Sequence, residues 1–310
     1  MPLLTYIDIG ADVQKGGSIR EDLMDFITNV SPSDTPLFSN LGSVQVNAGF
    51  VEFQNDTLAS AAANAFAEGV AATDVNLTCP TRSYAIVQNF QKHYHVSGRE
   101  EAVLHAGLSS MISYQEVKKA RELKRDIELA LHRGSAISGD TDTAPQLAGM
   151  LNTLSTYFTA SSGTTLTESV FNDIVTLTYS TPVNLREVYC GMYLKRTINQ
   201  YSTSVQRYID AQSRKQLDVV DVYESESGTM AILKSRDQLA GTSKTGSGNS
   251  WMAIDPDFFK VGWLRPVVTK ELGLDGDRRR KMMVGELTLI AKTELAGCGG
   301  TGFVPYLVDA

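Results

Sequence analysis

The sequence predicts an α+β fold, and three observations carry that expectation. Residues 82–96 alternate apolar and polar positions, with Tyr84, Ile86, Phe90, Tyr94 and Val96 on one side, which is the period of a half-buried strand. Residues 114–133 put Val117, Ala120, Leu123, Ile127, Ala130 and Leu131 on one face of a long helix, with charges opposite and Gly134 as a stop. The middle third then alternates segments of helical and of strand period.

In chain order, the first 45 residues hold many stops (Gly16-Gly17, Ser31-Pro32, Thr35-Pro36, Gly42) and one short amphipathic helix, Ile19 to Val30, capped by Ser18. That is an arm that borrows its burial from elsewhere. Two strands follow, Val44 to Gln54 and Arg82 to Val96, separated by a stretch of small residues from Leu58 to Gly69. Such a stretch is too small in side chain to build a core and too long for an ordinary connection, so it reads as a projecting two-stranded loop. Ser97-Gly98-Arg99-Glu100 fits a capping box, and a helix continuous from there to Arg133 is about 50 Å long, with Gly107 and Ser109-Ser110 as its weak points. Beyond it come a helix from Glu168 to Tyr179 after Thr167, a strand Glu187 to Tyr193 and a helix from Arg196 to about Gln212. A strand pair, Asp218 to Glu224 and Thr229 to Ser235, then turns at Ser227-Gly228. Gly241 to Gly248 is a flexible loop, and short strands at Trp251 to Ile254, Lys260 to Leu264 and Val284 to Thr293 close the chain.

Length and composition bound the function. At 310 residues the chain forms two lobes or one lobe with large excursions, and its 42% apolar share is that of a globular protein. The net charge of −7 gives no global attraction to nucleic acid, so any such contact has to come from a local basic patch. Cys79, Cys190 and Cys298 are odd in number and far apart, which reads as free thiols in a reducing compartment. No basic, apolar leader opens the chain and no apolar run of membrane-spanning length follows, so the sequence is expected in a cytosol without a membrane contact.

No residue pattern in the sequence nominates a catalytic or ligand site. His93-x-His95 in a strand has chelate geometry but no third ligand at a matching spacing, and His105 and His132 have no acid or thiol partner evident in sequence. Gly241 to Gly248 lacks the order of a phosphate loop; Gly297 to Gly302 opens no helix and reads as a turn. Asp275-Gly276-Asp277 starts like a calcium loop but runs into Arg278-Arg279-Arg280-Lys281, a solvated basic face. The expectation is no catalytic residue, no cofactor and no metal.

The order of parts (arm, projecting β-loop, long helix, mixed lobe, returning strands) resembles the major capsid proteins of tailed bacteriophages, the Caudoviricetes, with the Hong Kong 97-like fold. Within these it resembles the family named after the major head protein of phage SU-ten. The passages that carry the resemblance are Ile19-Arg20-Glu21-Asp22-Leu23 leading to Ser31 to Pro36, Val96-Ser97-Gly98, Tyr114-Gln115 with Glu122 to Glu128, and Gly149-Met150-Leu151. Val222-Tyr223-Glu224 with Gly228-Thr229, Leu264-Arg265-Pro266 and Glu286-Leu287-Thr288-Leu289 complete the series. The resemblance implies an N-terminal arm at 1–45, an extended loop at 46–95 and a peripheral domain with its spine helix at 96–139. It implies an axial domain at 140–220 and a peripheral-domain β-arm with closing strands at 221–310.

It also implies a structural protein of the virion that assembles in the bacterial host cytoplasm into the hexamers and pentamers of an icosahedral or elongated head. Its implied partners are copies of itself, a portal, a separate scaffolding protein rather than a fused one, a decoration protein, and packaged double-stranded DNA without sequence specificity. The alternative is the shell of an encapsulin-type nanocompartment, and the outsider is a cytosolic hydrolase using Cys190 or His93 and His95.

The helical stripe gives a first testable expectation. Ile127→Asp places an unpaired charge on its buried face and should cost about 3 kcal/mol or more. A thermal midpoint and soluble yield equal to those of the unmutated chain would show that the stripe was misassigned.

Overall fold

The computed structural model describes residues 34–71, 79–105, 108–201, 222–225, 228–238, 248–273 and 276–305. Helices are α1 Pro36–Asn40, α2 Gly98–Ala102, α3 Met111–Arg133, α4 Met150–Thr153, α5 Glu168–Thr176 and α6 Met192–Gln200. Strands are β1 Gly42–Gln45, β2 Phe50–Asn55, β3 Thr81–Ile86, β4 Gln88–Ser97, β5 Phe158–Ala160 and β6 Glu187–Cys190. They continue with β7 Val222–Ser225, β8 Gly228–Lys234, β9 Asn249–Ile254, β10 Phe259–Leu272, β11 Arg278–Ala291 and β12 Gly297–Phe303. The expected helix Ile19 to Val30 lies outside the described residues, as do 202–221 of the expected helix and strand there and most of the Gly241 to Gly248 loop.

One sheet has the order β1-β10-β11-β4 and carries α3 against it. Its backbone is the β10–β11 hairpin, whose register runs from Phe259 opposite Ala291 to Leu272 opposite Arg280. The sequence anticipated only short pieces of these two 14-residue strands. Pro266 and the basic run at 278–281 look like interruptions, yet the ladder takes up Pro266 at a pair of register shifts between Trp263 and Val268. The basic run continues the strand, pairing with Ser97 through Tyr94 of β4. Phe90, Tyr94 and Val96 are buried as the alternation predicts; Tyr84 is exposed instead, because the strand breaks at Val87 and β3 leaves the sheet. Val44 to Gln54 likewise divides into β1 and β2 around Asn47-Ala48-Gly49, where Val87 donates its N–H to the Gly49 carbonyl.

The second sheet has the order β5-β12-β9-β6-β8-β7 and packs α5 and α6 around Phe171 and Trp251, whose rings lie 4.6 Å apart. The strand expected to reach Tyr193 ends at Cys190, since Gly191 becomes the N-cap of α6. The glycine run read as a turn is β12, buried between β5 and β9. A Cβ on Gly299 would stand 2.4 Å from the Trp251 carbonyl oxygen, and one on Gly300 would stand 2.5 Å from that of Thr159. At these two positions only glycine, which has no Cβ, fits.

The helical stretch from Arg99 to Arg133 is not continuous but forms two helices, parted at the weak points. The capping box forms its first half, Ser97 Oγ accepting the Glu100 N–H at 3.2 Å, and α2 ends at Ala102. Ser110, one of the weak points, starts α3 as N-cap. Glu101 of α2 then caps α3 from outside: its carboxylate accepts the Ser110 hydroxyl at 2.6 Å and the Ile112 N–H at 3.2 Å. The Ser110 hydrogen bond above all holds that carboxyl below its ordinary range. Leu123, Ile127 and Leu131 are buried as expected, whereas Val117 and Ala120 are exposed, Ala130 is half-buried, and Glu128 and His132 are fully buried.

Gly299→Ala should cost about 3 kcal/mol through the backbone clash, while Gly42→Ala, with open space at its Cβ, should stay within about 0.5 kcal/mol. Urea unfolding of the two variants checks the contrast, and equal midpoints would refute the close-packed β12.

Candidate assembly interface

The β2–β3 ribbon pairs from Phe50 opposite Ile86 to Asn55 opposite Thr81. Its root is buried at Ala85 and Ile86, and its tip leaves the body of the protein. Every residue from 56 to 71 is exposed, Leu58 at 99% and Phe66 at 78%, and the backbone there has one turn, in which Val70 donates to the Ala67 carbonyl. Full burial of a Leu or Phe side chain is worth about 1.5–3 kcal/mol, and here it has not been used. Exposed apolar groups recur at Leu104, fully exposed between α2 and α3, and at Tyr179, 89% exposed on the 3-10 turn after α5. These protrusions are suited to a complementary surface on another molecule.

The segment before the ribbon is anchored from the core. Proline at the first position of α1 leaves Leu37 and Phe38 as the amides of the first turn without a helical partner, and Thr35 makes no side-chain cap. Glu128 of α3 supplies it. Oε1 accepts the Leu37 N–H at 2.9 Å and Oε2 the Phe38 N–H at 2.8 Å, across about ninety residues of sequence. His132 Nε2 lies 3.3 Å from Glu128 Oε1 and 2.9 Å from Ser235 Oγ. A carboxylate only accepts, so the contact with Glu128 is attractive when Nε2 carries the proton.

Sequence reading found no partner for His132 or His105. Glu128, one turn earlier, is the partner of the first, while the second meets the Glu100 carbonyl at 2.8 Å. Ser235, His132 and Glu128 have the residue types of a hydrolytic triad but not its geometry. Serine and carboxylate both meet Nε2, Nδ1 has no partner among the described residues, and all three side chains are closed to solvent.

His93 and His95 sit exposed on the outer side of β4, opposite Met282 and Arg280. Among the described residues no cluster of three or more His, Cys, Asp or Glu could hold a metal. Cys190 and Cys298 are buried free thiols, each pushed up to about 12 by burial; Cys79 is free and exposed. A thiol so raised is a poor nucleophile at neutral pH. No helix among the described residues is long and apolar enough to cross a membrane.

Comparison with known proteins agrees with this geometry. The sequence profile of the family described as SU10 major capsid protein matches residues 6–303. The major capsid protein of Escherichia phage Phieco32 is 33% identical over 112 residues, which is 36% of this chain and only 32% of that protein. Among solved structures, a chain of the Cyanophage A-1(L) capsid asymmetric unit superposes with a TM-score of 0.70 at 12% identity, covering 92% of this chain and 97% of that one. The holo-SrpI encapsulin complex from Synechococcus elongatus PCC 7942 gives 0.60 at 9% identity, covering 99% of each chain. At such identities the likeness is one of fold, the shell fold of the Hong Kong 97-like capsids.

Glu128→Ala strips two buried amides of their acceptor, at about 1–3 kcal/mol for each group left unsatisfied. Amides 37–41 should exchange markedly faster in that variant and its thermal midpoint should fall. Glu122→Ala, which removes only the partly exposed pair with Lys119, should change the midpoint by less than about 1 kcal/mol in equivalent stability. Unchanged exchange at 37–41 in Glu128→Ala would mean that the anchor lies elsewhere.

Proposed function

The chain belongs to the SU10 major capsid protein family, and from that premise we propose that it builds the head of a tailed phage as hexamers and pentamers closed around double-stranded DNA. Capsid proteins assemble with copies of themselves into the virion shell. The observation that carries the finer reading is the ribbon, with a tip whose only large apolar groups are unburied on its own subunit. In a shell the tip lies across a neighbouring copy, and the contact offsets the ordering cost of roughly 1–2 kcal/mol per residue of backbone.

We divide the chain accordingly: an arm at 1–45, held where Glu128 grips α1; an extended loop at 46–95, of which β2–β3 is the projecting part; a peripheral domain with α3 as spine at 96–139. The axial domain is 140–220 and the β-arm with closing strands 221–310. Portal, scaffolding and decoration proteins are the further partners, and assembly takes place in the host cytoplasm. No catalytic role is assigned: the family and its curated relative are structural, and the candidate nucleophiles Cys190 and Ser235 are sealed in the core.

The fold likeness to an encapsulin complex makes a nanocompartment shell the second reading. The family match over nearly the whole chain favours the phage head. Particles purified from infected or expressing cells separate the two, by nuclease-resistant DNA in one case and a co-purifying cargo protein in the other.

Amides 56–71 should exchange near the unprotected rate in the unassembled protomer and be strongly slowed in particles, with limited proteolysis cutting the protomer there first. Equal protection in both forms would place the loop on its own subunit and end the shell reading of the ribbon.

A further inference from the structure

We propose that the solvent face of α3 is a contact surface for the phosphates of duplex DNA, carried by Lys118, Arg121 and Arg125. The inference rests on the shell reading above and adds the place of contact. A chain of net charge −7 repels DNA as a whole, so contact requires a local patch, and the sequence offers an obvious one at Arg278 to Lys281. In the fold each of these side chains already has a partner. Arg279 reaches Glu271 at 3.5 Å, Lys281 reaches Glu116 at 3.1 Å, Arg280 donates to the Gly273 carbonyl at 3.3 Å, and Arg278 is likewise engaged.

On α3 the opposite holds. Its carboxylates are all committed: Glu116 to Lys281, Glu122 to Lys119 at 2.7 Å, Asp126 to Lys92 at 2.5 Å, and Glu128 to the buried amides of α1. Lys118, Arg121 and Arg125 are exposed and make no ion pair among the described residues. Lys118 acts on Glu122, and Arg125 on Asp237, only through the longer-range field. Lys124, beside them, turns to the arm, with Nζ 5.7 Å from the centre of the Phe38 ring and 3.5 Å from Ser39 Oγ.

Spacing of i, i+3 and i+7 puts the three bare cations on one face over about 10 Å. Guanidinium forks match phosphate oxygens, and a duplex presents one negative charge per about 1.7 Å of axis. A row of unpaired cations is unlike the core of a protein–protein interface, from which charge is depleted. It suits a weak, salt-sensitive and sequence-independent contact with a packed polyanion.

The test titrates a short random-sequence duplex with the unassembled protomer across a series of salt concentrations. Three lost phosphate contacts, in Lys118→Gln/Arg121→Gln/Arg125→Gln, should flatten the slope of log Kobs against log salt by about 2.7. Between about 50 and 200 mM salt the variant should therefore lose about 40-fold less affinity than the unmutated chain. Arg121→Lys/Arg125→Lys should keep most of the slope, Arg278→Gln/Arg279→Gln all of it, and the triple variant should still form particles in negative stain. Equal slopes for the triple variant and the unmutated chain overturn the proposal. So does loss of particles with the slope intact, which would give the stripe to a neighbouring subunit. Failure of the unmutated chain to form particles counts against the shell reading instead, and the titration decides the stripe regardless.

Discussion

One buried carboxylate ties the parts of this protein together. Glu128 sits on the helix that covers the four-stranded sheet, yet its oxygens are spent on the amides of α1. Through His132 it also meets Ser235, the residue that follows β8 in the six-stranded sheet. Three segments remote in sequence converge on one side chain that has no access to water. A carboxylate buried this way depends on the donors that reach it, so the position of the arm's root bears on the core's own stability. The arm and the spine are therefore not independent: whatever pulls α1 from its seat takes two amide donors from Glu128 and leaves it the contact with His132.

The path of the chain reinforces this coupling. β9 passes through a 3-10 turn at Pro256–Phe258 into β10, and β11 returns through another at Glu294–Ala296 into β12. Both sheets thus share a continuous antiparallel pair, and the cluster around α3 takes in Tyr189, Met252 and Ile254 from the second sheet. The ribbon enters this frame between β1 and β4, both strands of the first sheet. Its root is fixed while its tip is free to be shaped by a neighbour.

What was legible in the sequence is what short-range chemistry encodes. The alternation of β4, the Ser97 cap, the stripe of Leu123, Ile127 and Leu131, and the small-residue loop each depend on residues within a few positions of one another. The collinear motifs added the family. What escaped depends on partners far away. Glu128 reads as one more surface acid until the amides of Leu37 and Phe38, some ninety residues upstream, are placed beside it. Gly297 to Gly302 reads as a turn because nothing local says that Trp251 and Thr159 press on Gly299 and Gly300. Arg278 to Lys281 looks like the basic site, and only the cross-strand and helix partners reveal that Arg279 and Lys281 are already paired with Glu271 and Glu116. The cations that remain open are scattered in sequence and gathered only by the helical turn.

The irregular stretch of β10 bears on a hazard specific to self-associating chains. Among the described residues β1 covers only Lys260 to Trp263, so the outer edge of the remaining strand has no neighbour in the sheet. An open edge of that length is a template on which another copy could add a strand, and then another, as in a fibril. Pro266 has no N–H to give to any strand, and the successive register shifts on either side of Arg265 make that stretch irregular. In a family whose members assemble with copies of themselves, such an irregular edge disfavours open-ended strand addition.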